Sequence, residues 1–189
     1  MKVIIGLGNP GLEYMHTRHN IGWIIIDALA DKLGVGGFKE QKKFKALTAE
    51  TTITKSDENT NEEITEKILL VKPTTFMNLS GESVIAIKNF YKLENEDFLI
   101  IYDDIDLPLG ELRFRDKGVP GTLNGMKSIV QHLGQEFPRL RFGIESRPEE
   151  LKGRINLSDY VLSRFPEEEK DTTKKAIGQA LEEIIKLLG

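Results

Sequence analysis

The chain has 189 residues, 39% of them apolar and 30% charged, with a formal net charge of −4. That is the make-up of a water-soluble domain long enough to bury a sizeable core, with no apolar run of the length a membrane-crossing helix needs. Cysteine is absent, which removes disulfides, cysteine-ligated zinc and a thiol nucleophile and fits a cytoplasmic protein. Val3-Ile4-Ile5 is of strand length, so no secretory leader is expected. Residues 2–8 read as a buried strand ending in glycine, and residues 20–33 as a helix with Ile21, Ile24, Ile25, Ala28, Leu29 and Leu33 at helical spacing. Residues 44–50 and 67–72 look like strands. Between them lies an acidic, Thr- and Asn-rich stretch, read as a hairpin tip. Residues 80–91 form a second helix, 97–102 another buried strand, and 111–115 and 139–145 strands with one wet face. Residues 125–135 are a helix. The last helix starts at Pro166, with Glu167, Glu168 and Glu169 at the positive end of its dipole. Strands alternating with helices predict one three-layer α/β domain over residues 1–189, its twisted sheet mixed but mostly parallel.

The charge is unevenly spread. An acidic insertion at residues 51–66 sets five carboxylates against Lys55, which accounts for the whole net charge. Residues 110–147 carry seven arginines and lysines against four carboxylates, a locally basic segment able to bind phosphates on an acidic protein; such clusters also serve simply to solvate a surface.

Three constellations carry chemistry. Gly6-x-Gly8-x-x-Gly11 follows a strand with the spacing of a dinucleotide loop. Pro10 interrupts it, and Asp27, the acidic residue at about the right distance for a ribose, falls inside a helix. His16, His19 and His132 are the histidines. His132 reads as a packing or surface residue of a helix. His16 and His19 are three apart but lack an evident third ligand, so a metal pair is poorly supported. His19, between a glycine turn and a helix start, is the one placed for chemistry. The run Tyr102-Asp103-Asp104-Ile105-Asp106 at the end of a buried strand admits three readings. Its carboxylates could bind Mg²⁺, cap a loop, or pair with His19 and strengthen its other ring nitrogen as a base. Asn9, Asn20, Asn78 and Asn124 sit at strand–helix transitions, where amides cap turns or hold carbonyl and hydroxyl groups of a substrate. With no serine or cysteine in a nucleophile-elbow pattern, a base and its orienter point to attack by water on an ester.

These residues closely resemble the bacterial-type peptidyl-tRNA hydrolases. The shared motifs are Gly6-Leu-Gly-Asn-Pro-Gly11, Tyr14, Thr17-Arg-His-Asn-Ile-Gly22, Lys72-Pro-Thr-Thr-Phe-Met-Asn-Leu-Ser-Gly81, Asp103-x-x-Asp106-Leu-Pro108, Asn124-Gly125, Arg139-Leu-Arg-Phe-Gly-Ile144 and Tyr160-Val-Leu162, in order along nearly the whole chain. The resemblance implies hydrolysis of the ester joining a peptide to tRNA. His19 would be the base for water and Asp103 its orienter. Asn9, Tyr14, Asn20, Met77, Asn78 and Asn124 would bind substrate, and Arg115 and Arg141 would clamp a tRNA phosphate. Asp104 and Asp106 would be structural. It implies no metal, no organic cofactor, no membrane and no obligate protein partner, but a cytoplasmic monomer. The family pattern reads Gly-Gly-His-Asn-Gly around Asn124, whereas this chain has Gly121-Thr-Leu123-Asn124-Gly125, preceded by Val119-Pro120. Leu123 cannot hydrogen-bond and Pro120 stiffens the loop, so altered substrate binding is expected. An RNA-binding relative that has lost catalysis is the alternative.

Overall fold

Alternation along the central strands builds two cores, one on each face of a single sheet. In the computed structural model, which describes residues 1–56 and 63–188, the elements run β1 (Lys2–Gly6), α1 (Ile21–Lys32), β2 (Lys39–Gln41), β3 (Ala46–Ser56), β4 (Glu63–Pro73), α2 (Ser80–Tyr91), β5 (Phe98–Pro108), β6 (Leu112–Lys117), α3 (Asn124–Leu133), β7 (Glu136–Glu145), α4 (Leu157–Val161) and α5 (Glu167–Leu188). Ile4, Ile68, Leu70, Leu99, Ile101, Leu140 and Phe142 point to one face and pack under α1 and α5. Val3, Ile5, Leu69, Val71, Phe98 and Ile100 point to the other and pack under α2 and α3. Strands covered on both sides must be apolar throughout, which is why Ile68-Leu-Leu-Val71 and Phe98-Leu-Ile-Ile101 read as unbroken hydrophobic runs.

The seven strands are ordered β2-β3-β4-β1-β5-β7-β6. The central four are parallel neighbours; β3 and β6 run the other way, and β2, antiparallel to β3, rejoins the common direction. The predicted mixed, mostly parallel sheet between helices is therefore the observed one. From β1 the chain leaves through α1 toward β4, and from β4 it returns through α2 to β5 on the far side of β1. The connections diverge at the β1–β5 boundary, where an open sheet forms its crevice.

Several boundaries differ from the sequence reading. Residues 51–56 and 63–66 are not loop: β3 and β4 stay paired from Ala46↔Pro73 out to Ser56↔Glu63, because threonine and isoleucine suit an extended edge whatever the local charge. The tip of the acidic insertion, residues 57–62, lies outside the described residues. β5 runs through the three aspartates to Pro108, its pairing with β7 becoming irregular after Asp104. The short β2 and α4 have no counterpart in the sequence reading. For α4 the signal was present: Asn156 accepts a hydrogen bond from the Ser158 amide at 2.8 Å, an N-cap, with Asp159 in the first turn. Among the described residues, no helix is long and apolar enough to cross a membrane.

Candidate active site

The glycines after β1 are spacers. A Cβ on Gly6 would stand 2.2 Å from the Gly22 carbonyl oxygen, and one on Gly22 would stand 2.5 Å from the Leu7 backbone and 2.6 Å from the Ile101 carbonyl. Their absence lets the start of α1 lie directly on the ends of β1 and β5, and a Cβ on Gly8 would stand 2.6 Å from the Trp23 ring, so both glycines of the Gly6-x-Gly8 pattern serve packing against α1. The consequence for the site is direct, since the turn formed by residues 18–20, immediately before α1, is brought over the end of β5.

Three successive side chains of that turn leave in three directions. Arg18 is buried toward the C-terminal segment. Asn20, fully buried, spans Asn9: its Oδ1 accepts from the Asn9 amide and its Nδ2 donates to the Asn9 carbonyl, both at 2.9 Å. Between them His19 faces Asp103, which β5 presents at the sheet's edge. The ring Nδ1 lies 2.9 and 3.1 Å from the two carboxylate oxygens, with the Asp103 side chain 2% and the His19 side chain 12% exposed. A carboxylate accepts only, so Nδ1 carries the proton and Nε2 keeps its lone pair. Burial disfavours the imidazolium, but the charge of Asp103 and its hydrogen bond together outweigh this and hold the His19 pKa above its ordinary 6.5.

His19 and Asp103 lie in a cleft of about 890 Å³ that also takes in Asn9, Met77, Asn78, Asn124, Arg115 and Arg141. Asn9 is pinned by Asn20 and accepts the Met77 amide hydrogen at 2.8 Å through Oδ1. That fixes the orientation of its amide, whose Nδ2 has no acceptor among the described residues. Phe76, next to Met77, holds φ 58° and ψ 158°, a backbone region that glycine favours, and is 52% exposed at the cleft wall. Asn78 and Asn124 are exposed on opposite turns, Asn124 opening α3 and receiving a long hydrogen bond from the Lys127 Nζ at 3.4 Å. Leu123 stands at the cap of α3, partly buried against the adjoining core, and Val119 is 71% exposed in the loop before it.

Two of the residues singled out from the sequence stand elsewhere. Asn20 has its amide consumed by Asn9, so its place is behind the site rather than in it. Tyr14 lies in the turn before His19, outside the cleft lining, with its carbonyl accepting from the Thr17 amide and hydroxyl. The three aspartates diverge. Asp103 faces His19, Asp104 accepts from the Arg141 Nε at 2.5 Å and the Asp106 amide at 2.9 Å, and Asp106 is exposed. Among the described residues, no group of three or more His, Cys, Asp or Glu side chains is placed to hold a metal.

The basic segment is largely committed internally. Arg113 pairs with Glu111, Arg147 with Glu145 and Arg141 with Asp104. Arg139 is buried on Phe137 and donates to the Gly118 and Gln135 carbonyls at 3.0 and 2.8 Å, anchoring the loop that leads to Asn124. Arg115 and Lys117 line the cleft with no carboxylate partner among the described residues. Sequence reasoning missed Tyr102 as a lining residue of the cleft, since alternation along β5 puts neighbouring side chains on opposite faces. It also missed Leu157, Ser158 and Val161, which α4 contributes to the wall.

A model of the peptidyl-tRNA hydrolase family matches residues 3–189 of this chain. A peptidyl-tRNA hydrolase of Brevibacillus brevis is 52% identical over 181 residues, covering 95% of this chain and 87% of that protein. One of Bacillus cytotoxicus is 46% identical over 181 residues, covering 95% and 89%. The crystal structure of peptidyl-tRNA hydrolase from Acinetobacter baumannii superposes with a TM-score of 0.80 at 36% identity, covering 96% of this chain and 85% of that one. Fold and relatives together define an enzyme of the hydrolase class. The chain belongs to the peptidyl-tRNA hydrolase family.

Proposed function

We propose that this protein hydrolyses the ester between peptide and tRNA with water activated by the His19–Asp103 pair. The observation that carries the reading is the Nδ1–carboxylate hydrogen bond, which leaves Nε2 facing the cleft chemistry as a base. Nε2 takes a proton from water, and the hydroxide forms a bond to the ester carbonyl carbon. The tetrahedral intermediate then collapses, the carbon–oxygen bond to the terminal ribose breaks, and the imidazolium returns its proton to the ribose oxygen. Asp103 stays ionised and stabilises the imidazolium between the two transfers. The Asn9 Nδ2 donates to the substrate's carbonyl or peptide oxygen, while Asn78, Asn124 and the Met77 turn line the peptide path. Arg115 and Arg141, which line the same cleft, meet a tRNA phosphate. Direct attack by water needs neither a metal nor an organic cofactor, and the protein acts as a cytoplasmic monomer.

The test is turnover of an N-blocked aminoacyl-tRNA by the purified protein and by His19→Ala. Turnover by the parent and a loss on the order of 10²–10⁴-fold in the variant are expected for removal of a general base. Full activity in His19→Ala overturns the mechanism. Tight tRNA binding without turnover by the parent favours the RNA-binding alternative that Leu123 keeps open.

A further inference from the structure

The residue before His19 is buried in a network that the hydrolytic step does not use. The Arg18 guanidinium lies 4.5 Å from the Tyr160 ring centre and 4.8 Å from that of Phe165, sandwiched between them. Its Nη1 stands 2.6 Å from the Glu169 carboxylate in the first turn of α5. The contact is an ion pair whose two side chains are 4% and 13% exposed. The Arg18 amide donates to the Ser163 carbonyl at 2.9 Å, and Thr17 pairs with Arg164 in an isolated antiparallel bridge. Tyr160 is itself fixed, donating from its hydroxyl to the Ile144 carbonyl at the end of β7 at 2.6 Å and receiving the Ser146 amide at 3.0 Å. Arg147 covers it at 4.6 Å. Thus α4, α5 and the end of β7 all bear on one side chain, adjacent in sequence to the imidazole.

We infer that Arg18, gripped by Tyr160, Phe165 and Glu169, is a positioning residue that sets where the His19 imidazole stands against Asp103. The inference rests on the hydrolytic reading for its consequence in catalysis. A buried ion pair adds little net stability, since the desolvation of both charges offsets their attraction. What this one supplies is direction. Asn20 ties the turn to Asn9 on one side, Arg18 ties it to the C-terminal segment on the other, and His19 is held between two fixed neighbours. The same α4 that carries Tyr160 lends Leu157, Ser158 and Val161 to the cleft wall, so the base and that wall share one support.

The experiment compares the parent with Arg18→Met/Glu169→Met, which removes both charges together and keeps the volume. Glu169→Gln, which keeps the packing and removes one charge, is the second variant should the first not fold. Two readouts are taken: kcat and KM on N-blocked aminoacyl-tRNA, and the titration of the His19 ring by nuclear magnetic resonance. In a folded variant kcat falls on the order of tenfold or more with KM within about twofold, as for small misplacements of a reacting group. The His19 pKa drops back toward its ordinary value as the Asp103 contact loosens. A folded variant with parental kcat and an unchanged His19 titration overturns the inference. Absence of turnover in the parent counts against the hydrolytic reading alone, and the titration then decides the role of Arg18.

Discussion

At the scale of single residues, the proposed base His19 sets the expected response to pH. Its pKa is raised by Asp103 over the cost of burial. On the proposed mechanism the base works only when neutral, so kcat/KM should fall on the acid side with a midpoint above 6.5. Asp103→Asn removes the charge that raises it and frees the tautomer. Its acid midpoint should move down, with a loss of rate on the order of 10²–10⁴-fold. A pH–rate profile of parent and variant checks both, and an unmoved midpoint would separate the titrating group from this pair. Stability follows the opposite sense. A raised folded pKa adds stability below the unfolded value of about 6.5, and that contribution is lost as pH rises through the folded pKa. Melting temperatures of the parent relative to His19→Gln should therefore show their greatest advantage on the acid side of that window.

At the scale of elements, the site depends on how closely α1 approaches β1 and β5. Gly22→Ala pushes a methyl group into the Leu7 and Ile101 backbone, which cannot yield as a flexible side chain would. A loss of about 1–3 kcal/mol or more is expected from denaturant unfolding. Asn20→Ala leaves the buried Asn9 amide and carbonyl without partners, at about 1–3 kcal/mol for each group, and releases Asn9 from its fixed pose. Activity should then fall even where the variant remains folded. Asn20 does not itself line the cleft and reaches it only through Asn9, so such a loss would come from the release of Asn9. The strand ends show the same interplay. The sequence reading ended β5 at residue 102, yet the parallel register with β7 carries it onward through Asp103 and Asp104, residue types that are depleted in strands. Paired neighbours override local propensity there, and the override is what aims Asp103 at His19.

At the scale of the whole molecule, the net negative charge coexists with a cleft that presents Arg115 and Lys117. Arg115→Glu should weaken tRNA binding about equally for all tRNAs and lower the salt dependence of binding by about one unit of slope. Arg141→Glu should do more harm and less specifically, because it sets a second carboxylate against the buried Asp104. Binding titrations at several salt concentrations, with melting temperatures alongside, distinguish the two; an unchanged salt slope in Arg115→Glu removes it from the phosphate contact. The sequence by itself determined the α/β class and the helices at Ser80–Tyr91 and Glu167–Leu188 nearly to the residue, and it nominated the side chains proposed to carry the chemistry, because hydrophobic periodicity and residue type are local properties. Only the tertiary structure decided which of those side chains meet. His19 and Asp103 are 84 positions apart and come together because β1 and β5 are parallel neighbours. The roles of the opening glycines, of Asn20 and of Arg18 were equally out of reach of pattern. Each is defined by a partner brought close by the sheet order and the packing of helices on it, and a spacing in sequence carries no record of that distance.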